Sequence, residues 1–108
     1  MCYDIHITRA DFWVDNEGKE ISTDEWIAYV KGDPELRFSD DGNGEYFVYW
    51  NGKSKYQEPW LDWWRGNIYS KNPDKAIVSK MLAIAKILGA RVQGDDGEFY
   101  DDTSQIAN

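Results

Sequence analysis

The chain contains 108 residues, of which 42% are hydrophobic and 16% aromatic, including six tryptophans and seven tyrosines. This length allows one hydrophobic core, and the aromatic content favours a packed domain over a disordered chain. The formal charge of −8, from 20 acidic and 12 basic residues, argues against nucleic acids and anionic membranes as partners, because phosphate groups bind lysine and arginine.

The cysteine content and the termini bear on the cellular compartment. Cys2 is the only cysteine, so no intramolecular disulfide can form. The N-terminus lacks a basic region followed by an apolar stretch, and no apolar run is long enough to span a membrane. We therefore expect a soluble cytoplasmic protein, and its acidity predicts a protein partner with a basic surface.

The first predicted elements are a strand and a short helix. Residues 3–8 alternate apolar and polar side chains, which is the period of a strand with one buried face. Phe12 to Val14 either extend this strand or form a second one. Residues 22–25 form a capping box flanked by Ile21 and Trp26, which predicts a helix from about Thr23 to Val30. After it, Asp33-Pro34 predicts one more helical turn before an acidic, glycine-rich loop at 40–44.

The middle of the chain predicts three strands that pair in sequence order. They cover residues 46–50, 60–64 and 67–70, are rich in aromatic side chains, and are separated by the turn dipeptides Asn51-Gly52 and Arg65-Gly66. We expect an antiparallel meander.

A second, longer helix is predicted from Asn72 to Gly89. Asn72 is the expected N-cap, Pro73 suits the first helical position, and Gly89 can end the helix in a left-handed conformation. Its broad apolar face includes Met81 and Ile84 and must pack on a sheet, whereas Lys75, Ser79, Lys80 and Lys86 remain for solvent. Aspartate at position 80 is therefore expected to be tolerated.

The last strands are predicted as a hairpin of residues 91–94 and 98–100 around Asp96-Gly97. The order is β-α-β-β-β-α-β-β, which predicts an α+β domain with a mostly antiparallel sheet and both helices on one face. Residues 1–102 form this single domain, and the tail 103–108 is expected to be frayed.

Catalytic and metal-binding residues are scarce. His6 is the only histidine, and a Cys-His pair with Cys2 requires the first residues to fold across the strand. One histidine and one cysteine do not make a zinc site, and the loop at Asp40 does not match the spacing of a calcium loop. We expect no enzyme activity, metal or cofactor, although paired carboxylates for glycoside hydrolysis stay open as an alternative.

The tryptophans of the second meander strand offer a binding surface. On a regular strand Trp60, Asp62 and Trp64 share one face, and Trp63 points to the other. The indole rings either cover the long helix or stack on sugar rings or an arginine-rich peptide. The alternative function is thus a small carbohydrate- or peptide-binding module.

Charge is unevenly distributed along the chain. Residues 53–91 have a net charge of +5, and the remaining segments have −13. The hairpin at 94–102 contains five acids and no base, and such runs are either solvated faces or binding surfaces for a basic partner. The predicted partner-binding acids are Asp95, Asp96, Glu98, Asp101 and Asp102, joined by Asp40, Asp41 and Glu45.

Three segments resemble a widespread bacterial family of small acidic proteins: YDIHITRADFW, ISTDEWIAYVKGDPEL and KNPDKAIVSKMLAIAKILGARVQGDDGEFY. The likeness covers about residues 1–100 and rests on overall pattern. Members are associated with immunity proteins encoded beside contact-dependent or other polymorphic toxins. The resemblance implies a non-enzymatic antitoxin that binds a cognate toxin's C-terminal domain, commonly a nuclease, and it assigns no interface residue because immunity surfaces match their own toxins.

Overall fold

A computed structural model describes residues 3–106, apart from the side chain of Gln105. Cys2, on which the Cys-His alternative depends, lies outside the described residues. None of the described helices is long and apolar enough to cross a membrane. The elements are β1 (Asp4–Thr8), α1 (Thr23–Lys31), β2 (Leu36–Phe38), β3 (Val48–Trp50), β4 (Trp60–Trp64), β5 (Asn67–Lys71), α2 (Lys75–Leu88), β6 (Arg91–Gly94), β7 (Phe99–Tyr100) and a 3-10 helix, Thr103–Gln105.

The seven strands form one antiparallel sheet in the order β2-β3-β4-β5-β1-β6-β7. The predicted α+β class and the meander of β3, β4 and β5 are confirmed. β2 is an additional short strand. The segment at Asp33-Pro34 makes a turn closed by the hydrogen bond from Leu36 N–H to the Asp33 carbonyl, and Leu36–Phe38 then pairs with β3. Phe12 to Val14 form turns and no strand.

Both helices pack on the same face of the sheet, as predicted. Alternation along β1 sends Ile5 and Ile7 to this face, where they meet the buried side chains of the helices. Neighbouring strands add Val48, Leu61, Ile68 and Val92, while α1 contributes Trp26 and Val30, and α2 contributes Ile77, Val78, Met81, Ile84 and Ala85. One continuous core therefore lies between the helices and the sheet.

Helix α1 begins as the sequence predicts. Ser22 accepts the N–H of Glu25, and the Glu25 carboxylate accepts the N–H of Ser22, so the capping box is formed. Arg9 binds the same carboxylate at 2.7 Å and also donates to the carbonyl of Leu88 at the end of α2. The hydrogen bonds from Arg9 and from Ser22 N–H lower the pKa of Glu25 to about 2.

Helix α2 begins two residues later than predicted. Its N-cap is Asp74, whose carboxylate accepts the N–H of Ile77 at 3.0 Å. Asn72 has a left-handed backbone with φ of 47°, and its side chain accepts the N–H of Tyr3 instead. The Asn72 side chain therefore connects the end of β5 to β1, and Asp74 caps α2 in its place. Gly89 ends the helix with φ of 66°, as predicted.

The tail that we expected to be frayed is attached in its described part. Asp102 accepts the N–H of Ser104 and begins the 3-10 helix, which lies beside α2. Ile106 packs against the core, and residues 107 and 108 lie outside the described part.

Replacing Asp74 by alanine is expected to reduce the free energy of unfolding by about 2–3 kcal/mol. The buried carboxylate caps α2 and also accepts Ser54 Oγ and Lys55 N–H, each at 2.8 Å. Removing an N-cap costs about 1 kcal/mol, and stranding buried donors adds about 1–2 kcal/mol. Urea denaturation measures the loss, and Ser22→Ala, which removes the exposed cap of α1, is the matched control at about 1 kcal/mol. Equal losses in both variants would show that the contacts of Asp74 with residues 54 and 55 contribute nothing.

Candidate functional site

The second face of the sheet is only partly covered. Trp13, in the loop after β1, stacks on His6 with ring centroids 3.8 Å apart and an interplanar angle of 11°. The backbone N–H of Trp13 donates to Gln93 Oε1, and Gln93 Nε2 donates to the Asp11 carbonyl. His6 and Gln93 are buried in consequence. The loop thus covers the β1 and β6 part of this face.

None of the described helices lies over the rest of the second face, and we call this part the open face. Strand register sets its side chains opposite one another, since Asp4 pairs with Lys71, and Tyr69 pairs with both His6 and Asp62. Every side chain on it is at least partly exposed. The open face consists of Asp4, Trp60, Asp62, Trp64, Tyr69 and Lys71.

A cleft of about 260 Å³ lies at the border between the covered and open parts. Trp13 and Trp64 line it together with Asn67. Asn67 is buried, and both polar atoms of its side chain have partners in the chain. Its Nδ2 donates to the Trp13 carbonyl, and its Oδ1 accepts a hydrogen bond from Asn16 Nδ2. The remaining lining residues are Asp4, His6, Tyr69 and Lys71.

The six indole N–H groups separate the tryptophans into two sets. Four of them donate to acceptors in the chain: Trp13 to the Asp95 carbonyl, Trp26 to the Tyr46 carbonyl, Trp50 to Glu35 Oε1 and Trp63 to the Ile21 carbonyl. The indole N–H groups of Trp60 and Trp64 find no acceptor within residues 3–106. Both belong to the open face, so this surface has two donors available to another molecule.

The two open-face indoles differ in support. Trp60 stacks on Phe47 at 5.0 Å and meets Tyr69 edge-on at 5.6 Å, so its ring is held in place. Trp64 is 55% exposed, and the guanidinium of Arg65 lies 4.6 Å from its ring centroid. The open face therefore has one indole ring held in place at the start of β4 and one exposed indole ring at its end.

Two carboxylates of the open face have few partners. Asp62 accepts only the N–H of Trp63 among the described residues, and burial raises its pKa more than this hydrogen bond lowers it. Asp4 Oδ1 is shielded from solvent and accepts no hydrogen bond from the described residues. Tyr69 pairs with Asp62 and lines the cleft with Asp4, and burial, with smaller effects of Asp62 and Asp4, raises the pKa of its phenol.

Two carboxylates of the predicted acidic hairpin, Asp95 and Glu98, bind other groups of the same chain. Asp95 binds His6 Nε2 at 2.8 Å and accepts the N–H of Asp4 at 2.9 Å. Glu98 accepts the hydroxyls of Tyr3 and Tyr100. Burial alone would raise the pKa of Glu98, but these hydrogen bonds outweigh it and hold the pKa below its usual value.

Two of the outer carboxylates of the hairpin also have partners in the chain. Asp101 forms an ion pair of 3.9 Å with Arg91, and Asp102 caps the 3-10 helix beside α2. Asp96 is exposed at the turn, and its carboxylate has no partner among the described residues. Besides Asp102, three of the five acids therefore already have partners in the chain, namely His6 for Asp95, Tyr3 and Tyr100 for Glu98, and Arg91 for Asp101.

The acidic loop approaches the open face from the β3 side. The Asp41 carboxylate accepts hydrogen bonds from Ser39, Asn43 and Tyr49 Oη, whereas Asp40 and Glu45 are exposed. Tyr49 pairs with Trp60, so the loop and the open face are neighbours. Asp41 is thus connected to the open face through Tyr49.

Trp63 is on the other side of the sheet from Trp60 and Trp64, as the strand period predicts. It pairs with Ile68, packs against the core and stacks edge-on with Tyr46. Its indole donates to the Ile21 carbonyl at 2.8 Å. Trp63 therefore supports α1 and is not part of the open face.

Sequence reasoning did not identify Asp4, Trp13, Tyr69 or Lys71 as site residues. Alternation along β1 and β5 indicates which residues share a face, but only the register β4-β5-β1 brings Asp4, Tyr69 and Lys71 together, and Trp13 reaches this face from a loop. No group of three or more His, Cys, Asp or Glu side chains could hold a metal ion in the part of the chain that the structure describes. No protein-family model, curated protein or solved structure matches the chain.

Proposed function

We propose that this protein is a non-enzymatic immunity protein that binds and neutralises the C-terminal domain of a bacterial toxin through the open face. The observation that carries the proposal is that the indole N–H groups of Trp60 and Trp64, on one sheet face, have no acceptor among residues 3–106. Tryptophan is enriched at the energetic centres of protein interfaces because it combines a large apolar ring with one donor.

The charge of the chain supports a basic partner. The net charge is −8, and Asp4 and Asp62 are on the open face with Asp41 at one end and Asp95 at the other. Such charges raise the rate of encounter with a positive surface. Lys71 also projects from this face, so the partner must place an acceptor opposite it.

A toxin that acts on nucleic acid fits this surface. A nuclease binds phosphates and therefore has a basic active-site surface, and an acidic inhibitor that covers it blocks substrate access. The inhibitor must be present where the toxin acts, so the proposal places the protein in the cytoplasm.

Co-expression with the toxin domain encoded by the neighbouring gene tests the proposal. We expect cells that produce the toxin domain alone to stop growing and cells that also produce this protein to survive. Trp64→Lys should abolish rescue because it removes the exposed ring and places a positive charge against a basic partner. Ile87→Lys is the matched control, since Ile87 is a 69% exposed apolar residue on α2. The proposal is wrong if no rescue occurs, and the open-face assignment is wrong if both variants rescue.

A carbohydrate-binding module is the second candidate. The exposed ring of Trp64 favours it, because the carboxylates of Asp4 and Asp62 are on the same open face. Sugar rings stack on such indoles and use carboxylates as acceptors. Glycan-array binding by the wild-type protein that disappears in Trp64→Ala would support this candidate over the immunity function.

A further inference from the structure

We propose that the cleft between Trp13 and Trp64 receives an arginine side chain of the partner protein, with Asp4 as its carboxylate acceptor. The inference rests on the proposed function only for the identity of the partner, a protein with a basic surface that would supply the arginine. The choice of arginine rests on the residues in and around the cleft.

Asp4 is the first reason for a cationic occupant. It lines the cleft, and its Oδ1 is shielded from water without a hydrogen-bond donor among residues 3–106. A carboxylate oxygen in this condition loses solvation without compensation. The terminal torsion of an aspartate is soft, so rotation of the carboxyl group would allow a charged N–H group in the cleft to restore the missing interaction.

Tyr69 and Asp62 are the second reason. Tyr69 lines the cleft together with Asp4 and pairs with Asp62 across β4 and β5, and its hydroxyl has no hydrogen-bond partner in the described part of the chain. The cleft region therefore contains several acceptor oxygens and few internal donors to satisfy them. Arginine carries five N–H donors in a planar fork, so one side chain can serve Asp4 and the phenol oxygen together.

The walls distinguish arginine from other cations. Trp13 and Trp64 are indoles, and Trp64 already has the guanidinium of Arg65 within 4.6 Å of its ring centroid. A planar guanidinium stacks on aromatic faces, and a lysine ammonium lacks this planar contact. A trimethylated lysine would fit aromatic walls but has no N–H for Asp4.

Lys71 is the internal competitor. It is directly opposite Asp4 across β1 and β5, lines the same cleft, and makes no ion pair within 4.0 Å among the described residues. Its positive charge opposes the entry of a guanidinium. Removing that charge should therefore strengthen binding if the cleft takes a cation.

The test uses small probes with the full-length protein labelled with ¹⁵N. N-acetyl-arginine methylamide is titrated while the indole N–H signals of Trp13 and Trp64 are followed, and the citrulline and lysine analogues are run in parallel. We expect the arginine probe to shift both signals. The citrulline analogue, which keeps the shape but lacks the charge, should bind about tenfold more weakly.

Three variants make the result specific. Asp4→Asn should weaken the arginine probe by about tenfold, because it removes a charge-assisted hydrogen bond. Asp96→Asn removes the same charge at an exposed turn and should change nothing. Lys71→Gln should tighten the probe, and the Trp26 indole signal reports that each variant is folded.

Equal binding of the arginine and citrulline probes, or unchanged binding in both Asp4→Asn and Lys71→Gln, would overturn the inference. A methyl glycoside that shifts Trp64 when the arginine probe does not would also overturn it. If the Asp4→Asn protein rescues cells as well as the wild-type protein and binds the arginine probe equally well, the inference is wrong and the proposed function stands. If probe binding depends on Asp4 but the wild-type protein does not rescue cells from the toxin, the proposed function is wrong and the cation-binding cleft stands.

Discussion

Replacing Met81 by aspartate is expected to unfold the domain. Met81 is completely buried in the core between α2 and the sheet, within the cluster that also contains Ile5, Ile7 and Ile68. A carboxylate there would have no partner, and burying an unpaired polar or charged group costs at least several kcal/mol, which is most of the stability of a small domain. Thermal denaturation followed by circular dichroism measures the effect.

Lys86→Asp is the control for this substitution. Lys86 is exposed in the last turn of the same helix, so its replacement should cost less than about 1 kcal/mol, mainly through the helix dipole. A Met81→Asp protein as stable as the Lys86→Asp protein would contradict the packing of α2 on the sheet.

Replacing Lys80 by aspartate is expected to cost at least about 3 kcal/mol, because removing one partner of a buried ion pair leaves an uncompensated charge. The sequence predicts a solvent-facing lysine and a tolerated substitution, but the Lys80 side chain is only 11% exposed. Its Nζ lies 2.7 Å from Asp33 Oδ2 and 2.8 Å from Glu35 Oε1. Urea denaturation against Lys86→Asp measures the difference, and equal stability would show that this ion pair contributes nothing.

The same ion pair gives the stability a defined pH dependence. Burial alone would raise the pKa of Asp33, but hydrogen bonds from Lys80 and Tyr29 outweigh it, so the pKa lies below its ordinary value. A lowered carboxyl pKa stabilises the folded state above the unfolded pKa, and the contribution is lost as the pH falls through the folded value. Lys80→Met should therefore flatten the loss of stability in acid, and a slope identical to that of the wild-type protein would contradict this.

Local sequence patterns predict much of the fold because they act over a few residues. The capping box of α1, the left-handed Gly89 at the end of α2 and the alternation of β1 each need only neighbouring side chains. The start of α2 is two residues off because Asn72 is used by Tyr3, which is 69 positions away. A competing long-range acceptor is invisible to a local rule.

The acidic hairpin shows the same limit for function. Within its own segment its charges have no compensation, which favours an external partner. Their partners come from elsewhere in the chain, since His6 and Tyr3 are about 90 residues distant from Asp95 and Glu98. By contrast, the shared face of Trp60 and Trp64 follows from strand period alone, and this part of the site is predictable.

The most direct test of the open face follows all six indole N–H signals while ¹⁵N-labelled protein is titrated with the toxin domain. Trp60 and Trp64 should shift strongly, because their N–H groups have no acceptor in the described part of the chain and belong to the face that we propose contacts the toxin. Trp26, Trp50 and Trp63 should stay unchanged, because their indoles donate to internal acceptors on the helix side of the sheet. Shifts of these three signals with constant Trp60 and Trp64 signals would contradict binding through the open face.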